Sequence, residues 1–386
     1  MSAMKWVTKT LVSAGLCAGL VVAGASHAQQ FRYALGFPPN SAGDHGAQLF
    51  NEKLQEYSGG ELSFRIFPLS LLSLAEMSEG VRDGIADAGN VLTPYFPSQF
   101  PNTNMAVELS MLLALSDKAE GRLGMAYSGA ITEYLMLECP DCQSEFAAQQ
   151  QVILPLGATP EYQLMCTQPI RTAEELRGKR LRVAGAQWSR WAEHFGASTV
   201  SMSANEILEA LGQGVVDCTV QSSPELGNFR LKEVVTDITV NIPGGVFAGG
   251  SASFNLGVWQ GLNAEQRQHI LRAAADMNAE VTYLYQSYGD RDFAEAKESG
   301  VSIHEPEESL VQASREFVER DLERVAEIYQ DRHGISDAAD KIAVLQPLVE
   351  RWMTLLEENA PESSAELAQL YWDEIYSRVD HETYGM

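Results

Sequence analysis

The sequence predicts an α/β protein built as two lobes with a cleft between them and extra helices at its C-terminal end. Three observations carry this. Short apolar runs of strand length alternate with amphipathic helical stretches through the first 220 residues, the pattern of strands covered by crossover helices. Turn residues break the chain at regular intervals, and none of the breaks has the composition of a floppy linker. From Asn263 onward the periodicity is helical almost without interruption. A chain of 386 residues is long enough for two cores.

The elements follow in order. Phe31 to Gly36 reads as a strand ended by Pro38, Pro39, Asn40 and Ser41. Ala47 to Tyr57 is helical, with Phe50 and Leu54 on one face, and stops at Ser58-Gly59-Gly60. Leu62 to Phe67 is a second strand, Ala75 to Asp83 a second helix and Ala86 to Leu92 a third strand. This βαβαβ start predicts a parallel sheet, with ligands bound beyond the carboxyl ends of its strands. The loops to watch are therefore 36–44, 68–74 and 92–96. Leu123 to Glu138 is a helix leading into Cys139-Pro-Asp-Cys142.

The second unit begins with strands at Gln151 to Pro155 and Glu161 to Thr167, joined near Gly157. Thr172-x-x-Glu175 and Ser203-x-x-Glu206 are capping boxes, in which hydroxyl and carboxylate satisfy the free amides of a helix start. Arg180 to Val183 and Val215 to Val220 are strands, and Gln187 to Phe195 is a helix ended by Gly196. The run Pro243 to Gly250, with four glycines, suits a crossover or hinge. Helices follow from Asn263, then over Ser309 to Gln330, Ile342 to Glu357 and Ala365 to Val379. The expected division is a first lobe over 29–155, completed by about 244–290, and a second over 156–243, completed by C-terminal helices. Residues 291–386 form the helical crossover and C-terminal helices.

Met1 to Ala28 has the makeup of a secretory signal: Lys5 and Lys9, an apolar run from Leu11 to Ala25, and small residues at Ser26 and Ala28 before Gln29. Fifteen apolar residues fall short of the ~20 that span a bilayer. Without this segment the net charge moves from −25 to −27. So acidic a chain is unsuited to nucleic acid or anionic lipid, which need a basic surface. Four cysteines remain, an even number in an exported chain. Cys139 and Cys142 suit a small loop staple; Cys166 and Cys218 pair or stay as buried thiols.

Catalytic signatures are missing. The sequence has no phosphate-binding glycine loop after a strand, and no Gly-x-Ser-x-Gly, since Gly249-Gly-Ser-Ala-Ser253 lacks its last glycine. His304-Glu305 lacks the second histidine of a zinc helix. No catalytic residue, metal or cofactor is expected. The informative segment is Gly178-Lys-Arg-Leu-Arg-Val-Ala-Gly185. Alternation sets Leu181 and Val183 on one face of the strand and Arg180 and Arg182 on the other. Arg182 lies near the carboxyl end, where a cleft opens, and a guanidinium there can hold a carboxylate. With 52 acidic side chains available, a structural ion pair is the competing account. Aromatic residues gather nearby: Trp188 and Trp191 after Arg182, Tyr95 after the third strand, Phe247 in the glycine-rich run. Gln221 adds a neutral hydrogen-bonding group at a strand end. Each aromatic taken alone is also accounted for by core packing.

With these residues in place, the chain resembles the solute-binding receptors of tripartite ATP-independent periplasmic (TRAP) transporters over nearly its whole mature length. Phe31 to Gly36, Ser58-Gly-Gly-Glu-Leu62, Phe67-Pro68 and Val81-Arg-Asp-Gly84 stand where that family has its opening strand, "SGG" turn, "FP" and following glycine region. Leu176-Arg-Gly-Lys-Arg-Leu-Arg-Val183 resembles "LKGKKIRV", and Gly214-Val-Val-Asp217 follows at the family's spacing. Phe254-Asn255 and Trp259-x-x-Leu262 resemble its step before the long helix. The resemblance implies a periplasmic binding protein that closes on a small organic anion and delivers it to TRAP membrane subunits for ion-gradient-driven uptake. It implies that Arg182 clamps the ligand carboxylate, that Gln221 fills a polar ligand position, and that Tyr162 stands near a second basic position of some relatives. Cys218 in place of the usual glycine, and Leu71-Leu72-Ser73 in place of "QLG", argue against copying a sialic-acid or four-carbon dicarboxylate assignment. The alternatives are a secreted enzyme or thiol redox protein using Cys139 and Cys142, and an adaptor without a ligand.

Overall fold

The computed structural model describes residues 28–115 and 122–386. The expected signal segment falls on residues 1–27 and so lies outside the described residues, apart from Ala28.

The first half of the chain runs β1 (Gln29–Leu35), α1 (Ala42–Tyr57), β2 (Leu62–Pro68), α2 (Met77–Arg82), β3 (Ala88–Leu92), α3 (Pro101–Glu108), α4 (Leu123–Glu133), α5 (Pro140–Ala148), β4 (Gln151–Val152) and β5 (Glu161–Cys166). It continues α6 (Ala173–Leu176), β6 (Arg180–Val183), α7 (Ala186–His194), β7 (Ser198–Ser201), α8 (Ile207–Gly212), β8 (Cys218–Gln221), α9 (Glu225–Asn228), β9 (Asp237–Val246) and β10 (Gly250–Asn255). The remainder is α10 (Leu256–Gln260), α11 (Ala264–Glu298), β11 (Ser302–His304), α12 (Glu308–His333), α13 (Ala338–Asn359) and α14 (Ser364–Glu374).

Two sheets result, one per lobe. The first has the order β2-β1-β3-β10-β4 and the second β11-β9-β5-β8-β6-β7. The βαβαβ start is present and its three strands are parallel, but β10 joins β3 and β4 antiparallel, so the sheet is mixed. In the second sheet β6 runs parallel to β7 and β8, while β5 is antiparallel to β8 and β9. The expected capping boxes at Thr172/Glu175 and Ser203/Glu206 both form, as does one at Asn263/Gln266 that opens α11.

Two expectations need correction. Pro243 to Val246 belongs to β9, and the crossover is confined to Phe247 to Gly249. Gly244 and Gly245 have φ of 79° and 73°, and side chains there would strike Ala114 and Met111, so glycine lets a strand end pass under the 109–115 turn. The C-terminal helices also divide differently. Leu310 and Val318 of α12 enter the second core, but Leu345, Trp352 and Tyr371 of α13 and α14 enter the first. Trp352 packs directly over Gly129 of α4 and donates to buried Glu133 at 2.8 Å, which fixes α13 on the first lobe.

The lobes are tied by paired crossovers. Thr159 and Phe247 exchange backbone and side-chain hydrogen bonds at 3.0 Å, and Leu156 donates to Gly250 at 2.9 Å. The long helix α11 braces both, with Asn278 and Thr282 accepting from the amides of Gly157 and Ala158. An ionic cluster adds a further bridge: Arg190 of α7 pairs with Glu108 of α3 at 2.9 Å and with Asp321 of α12 at 2.7 Å.

Both cysteine pairs are disulfides. Cys139–Cys142 caps the start of α5, a position that a redox motif would share; both residues are buried, which removes the access that thiol exchange needs. Cys166 and Cys218 face one another across β5 and β8 and close a 52-residue separation. Replacing both by alanine is expected to lower unfolding stability by about 2–4 kcal/mol through the enlarged denatured ensemble. Denaturant titration of oxidised wild type against the double variant measures this.

Candidate functional site

The carboxyl ends of β3, β6 and β8 converge on the gap between the lobes. Arg182 is the residue next to the end of β6, held by parallel pairing with Thr219 and Val200. Its neighbour two positions earlier, Arg180, sits at the start of the strand, exposed, and takes Asp217 in a two-pronged ion pair at 2.7 and 3.1 Å. Arg182 is 1% exposed and has no carboxylate partner among the described residues. Nε and Nη2 both donate to the Met202 carbonyl, at 3.1 and 2.9 Å, and Nη2 donates to the Tyr95 hydroxyl at 2.9 Å. Nη1 is buried and has no hydrogen-bond partner. The structural ion pair weighed against a ligand role thus belongs to Arg180, and Arg182 has no ion-pair partner in contact among the described residues.

Tyr95 comes from the opposite lobe, in a single turn after β3. Its oxygen accepts from Arg182 and from the Ala204 amide, each at 2.9 Å. Two acceptances fill the oxygen's lone pairs, so its own proton is free to donate. Nearby bonds also join the lobes: Asn205 donates to the Gly36 carbonyl at 3.2 Å, Asn228 accepts from the Ala42 amide at 3.3 Å, and Phe37 packs on Phe229 with ring centroids 5.8 Å apart.

These contacts surround two adjoining cavities of about 40 Å³ each, which share the walls Phe37, Leu92, Thr159, Phe247 and Tyr285. The structure brings five of the six residues singled out in the sequence to the rim of the Arg182 cavity: Arg182, Gln221, Tyr95, Tyr162 and Phe247. The sixth, Trp188, stands one layer behind. Its ring stacks on Tyr162 at 4.2 Å and 16°, and its Nε1 donates to the Gly244 carbonyl at 2.9 Å. The first turn of α7 points it into the second core, so it stiffens the wall and does not form it. Of the three loops, 36–44 and 92–96 reach the cavities through Phe37, Gly43 and Tyr95, and 68–74 does not.

Sequence reasoning missed Phe229, Tyr285 and, most consequentially, Glu225. Glu225 opens α9, is 4% exposed and lines the same cavity as Arg182. Its Oε1 accepts from Tyr285 of α11 at 3.0 Å and its Oε2 from Asn228 at 3.2 Å. Burial pushes its carboxyl up to about 7, against the opposing pull of Asn228, Tyr285 and the Arg182 charge; nearby Asp292 pushes the same way as burial. No sequence signal distinguished it among 52 acidic residues.

The sign of its effect on stability follows. Its folded value lies above the unfolded one, so the fold binds the extra proton between about pH 4.5 and 7. The penalty is absent below that window and complete above it. Glu225→Gln is therefore expected to raise stability relative to wild type at pH 8 by up to ~3 kcal/mol and to leave pH 4.5 nearly unchanged. Paired melting curves at the two pH values measure the difference; equal shifts at both contradict it.

The two-lobed α/β architecture, with a cavity between the lobes, is that of the periplasmic binding proteins. The chain belongs to the family described as bacterial extracellular solute-binding protein, family 7, which matches residues 35–328. A solute-binding protein of Albidiferax ferrireducens is 21% identical over 230 residues, 59% of this chain; the match spans 64% of that relative's length. Solved structures share the fold. A marine-metagenome TRAP solute-binding protein specific for pyroglutamate superposes with a TM-score of 0.68 at 16% identity, covering 83% of this chain and 99% of that one. Another, specific for aromatic acids and holding 3-hydroxybenzoate, gives 0.69 at 20%, covering 84% and 98%. A TRAP periplasmic solute-binding protein from Bordetella bronchiseptica with bound mandelate gives 0.69 at 20%, covering 84% and 99%.

Proposed function

We propose that this protein is a periplasmic receptor that captures a small carboxylate between its lobes and hands it to TRAP membrane subunits, without catalysis. The observation that carries the reading is the buried Nη1 of Arg182, a cationic donor with no partner, at the edge of an interlobe cavity. An unpaired buried charge is costly, and a bound carboxylate repays it. The arrangement refines the expected two-pronged clamp. The Nε side of the guanidinium is already committed to Met202, so the ligand carboxylate is met by Nη1 together with the free proton of Tyr95. Because Tyr95 and Arg182 come from different lobes, the same carboxylate draws the lobes shut. Gln221 sits at the end of β8 as a further polar contact, and Tyr162 and Phe247 supply apolar faces stacked at 6.3 Å and 13°. The binding of pyroglutamate, 3-hydroxybenzoate and mandelate by proteins of the same fold supports a compact, carboxylate-bearing ligand.

The test is a calorimetric and thermal-shift screen of organic acids against matched amides and alcohols. At a hundredfold excess over its Kd, a bound acid is expected to raise stability by ~2.7 kcal/mol. Amides and alcohols of the same shape are expected to give no shift. Binding of neutral analogues as tightly as acids would refute a carboxylate receptor.

A further inference from the structure

We propose that Glu225 sets the ligand class: a monocarboxylic acid that carries a hydrogen-bond donor on the part of the molecule away from its carboxylate. This rests on the carboxylate-receptor reading and deepens it. The cavity carries two kinds of polar group. Arg182 and Tyr95 present donors, and Glu225 presents an acceptor, fixed by Tyr285 and Asn228. Each carboxylate oxygen of Glu225 takes one of these bonds, and an ionised carboxylate has about four acceptor sites. Two remain for a ligand hydroxyl or N–H. Phe229, Phe247 and Tyr162 supply the apolar part of the same lining, which favours a ring or other compact body over a polar chain.

Charge makes the same selection. A ligand with a second carboxylate beside Glu225 meets a like charge in a buried cavity. It escapes the repulsion only by protonating Glu225. The charged and titratable groups that face Glu225 are Arg182 of β6, Tyr162 of β5, and Tyr285 and Asp292 of α11. The two tyrosines remain neutral to well above pH 10, since burial raises both. Burial raises the Asp292 carboxyl as well, against the pull of Arg291, with which it pairs at 2.9 Å. Glu225 is the carboxyl of this set that lines the cavity, and it changes state at about 7. Dicarboxylates are therefore expected to weaken as pH rises through and beyond that point, approaching tenfold per pH unit, while donor-bearing monocarboxylates hold or gain.

The experiment is calorimetry on the mature protein at pH 6 and pH 8.5 with three acids of one skeleton. The default set is 3-hydroxybenzoate, benzoate and isophthalate; if the acid screen yields a tighter ligand, the set is that acid, its analogue without the donor, and its analogue with a carboxylate in the donor's place. In wild type at pH 8.5 the donor-bearing acid is expected to bind at least tenfold tighter than either other member. The dicarboxylate is expected to lose at least tenfold between the two pH values. In Glu225→Gln, confirmed as folded by circular dichroism, that pH dependence disappears. A dicarboxylate that binds wild type as tightly as the donor-bearing acid at pH 8.5 overturns the inference, as does a best ligand lacking any donor, or an unchanged pH profile in the variant. If no acid in the screen binds, the receptor reading itself has failed, a result separate from these.

Discussion

Arg182→Ala is expected to weaken binding of the cognate carboxylate a hundredfold or more while the protein stays folded. A hydrogen bond to a charged group is worth about 1.5–3 kcal/mol, and the attraction of the guanidinium charge adds to it at a buried site. Each 1.4 kcal/mol is tenfold in Kd. Arg180→Ala provides the control two residues away. Arg180 is paired with Asp217 and its side chain is 45% exposed, so it contributes little to stability and nothing to the cavity. Arg182→Lys keeps the charge but not the fork, loses at least one bond to Met202, and is expected to fall between the two. Equal ligand affinity in wild type and Arg182→Ala would exclude the role assigned to this arginine.

Trp188→Ala is expected to produce the largest loss of stability, about 3–5 kcal/mol, as for other large aromatics removed from a core. The indole is fully buried, stacked on Tyr162 and bonded to the Gly244 carbonyl. Removing it leaves a cavity and an unpaired carbonyl beside the crossover between lobes. Ligand affinity falls with it, because Tyr162 loses the ring that holds its plane. Trp188→Phe refills part of the space and restores the stack without the hydrogen bond, so it is expected to recover most of the affinity and part of the stability. Urea titration with and without ligand separates the effects. A loss below about 1 kcal/mol for the alanine variant would contradict the packing role.

Legibility in the sequence followed the range of the interaction concerned. The β6 segment was read with its full bounds because alternation, a capping box before it and Gly185 after it are all local. The strands β7, β9, β10 and β11 were not read. Ser198 to Ser201 is polar, Ser302 to His304 is short and partly exposed, and β9 runs through Pro243, Gly244 and Gly245, residues that read as punctuation. Their strand state comes from pairing with chain far away, such as β10 with β3 and β9 with β5. The C-terminal helices were visible as helices, yet the lobe they cover depends on the fit of Trp352 against Gly129, more than 200 residues apart.

The sequence by itself determined the α/β class, the capping boxes at Thr172, Ser203 and Asn263, and the candidacy of Arg182, because propensity, periodicity and side-chain alternation act over a few residues. Only the tertiary structure decided which arginine is unmatched. Arg180 and Arg182 are equivalent in pattern, and the difference lies in Asp217 standing beside one and the far lobe's Tyr95 beside the other. It alone also picked Glu225 from the surplus of acids, by burying it against Tyr285, 60 residues away on α11. Burial and charge neutralisation are sums over everything near in space, and nearness in space is what the order of residues does not state.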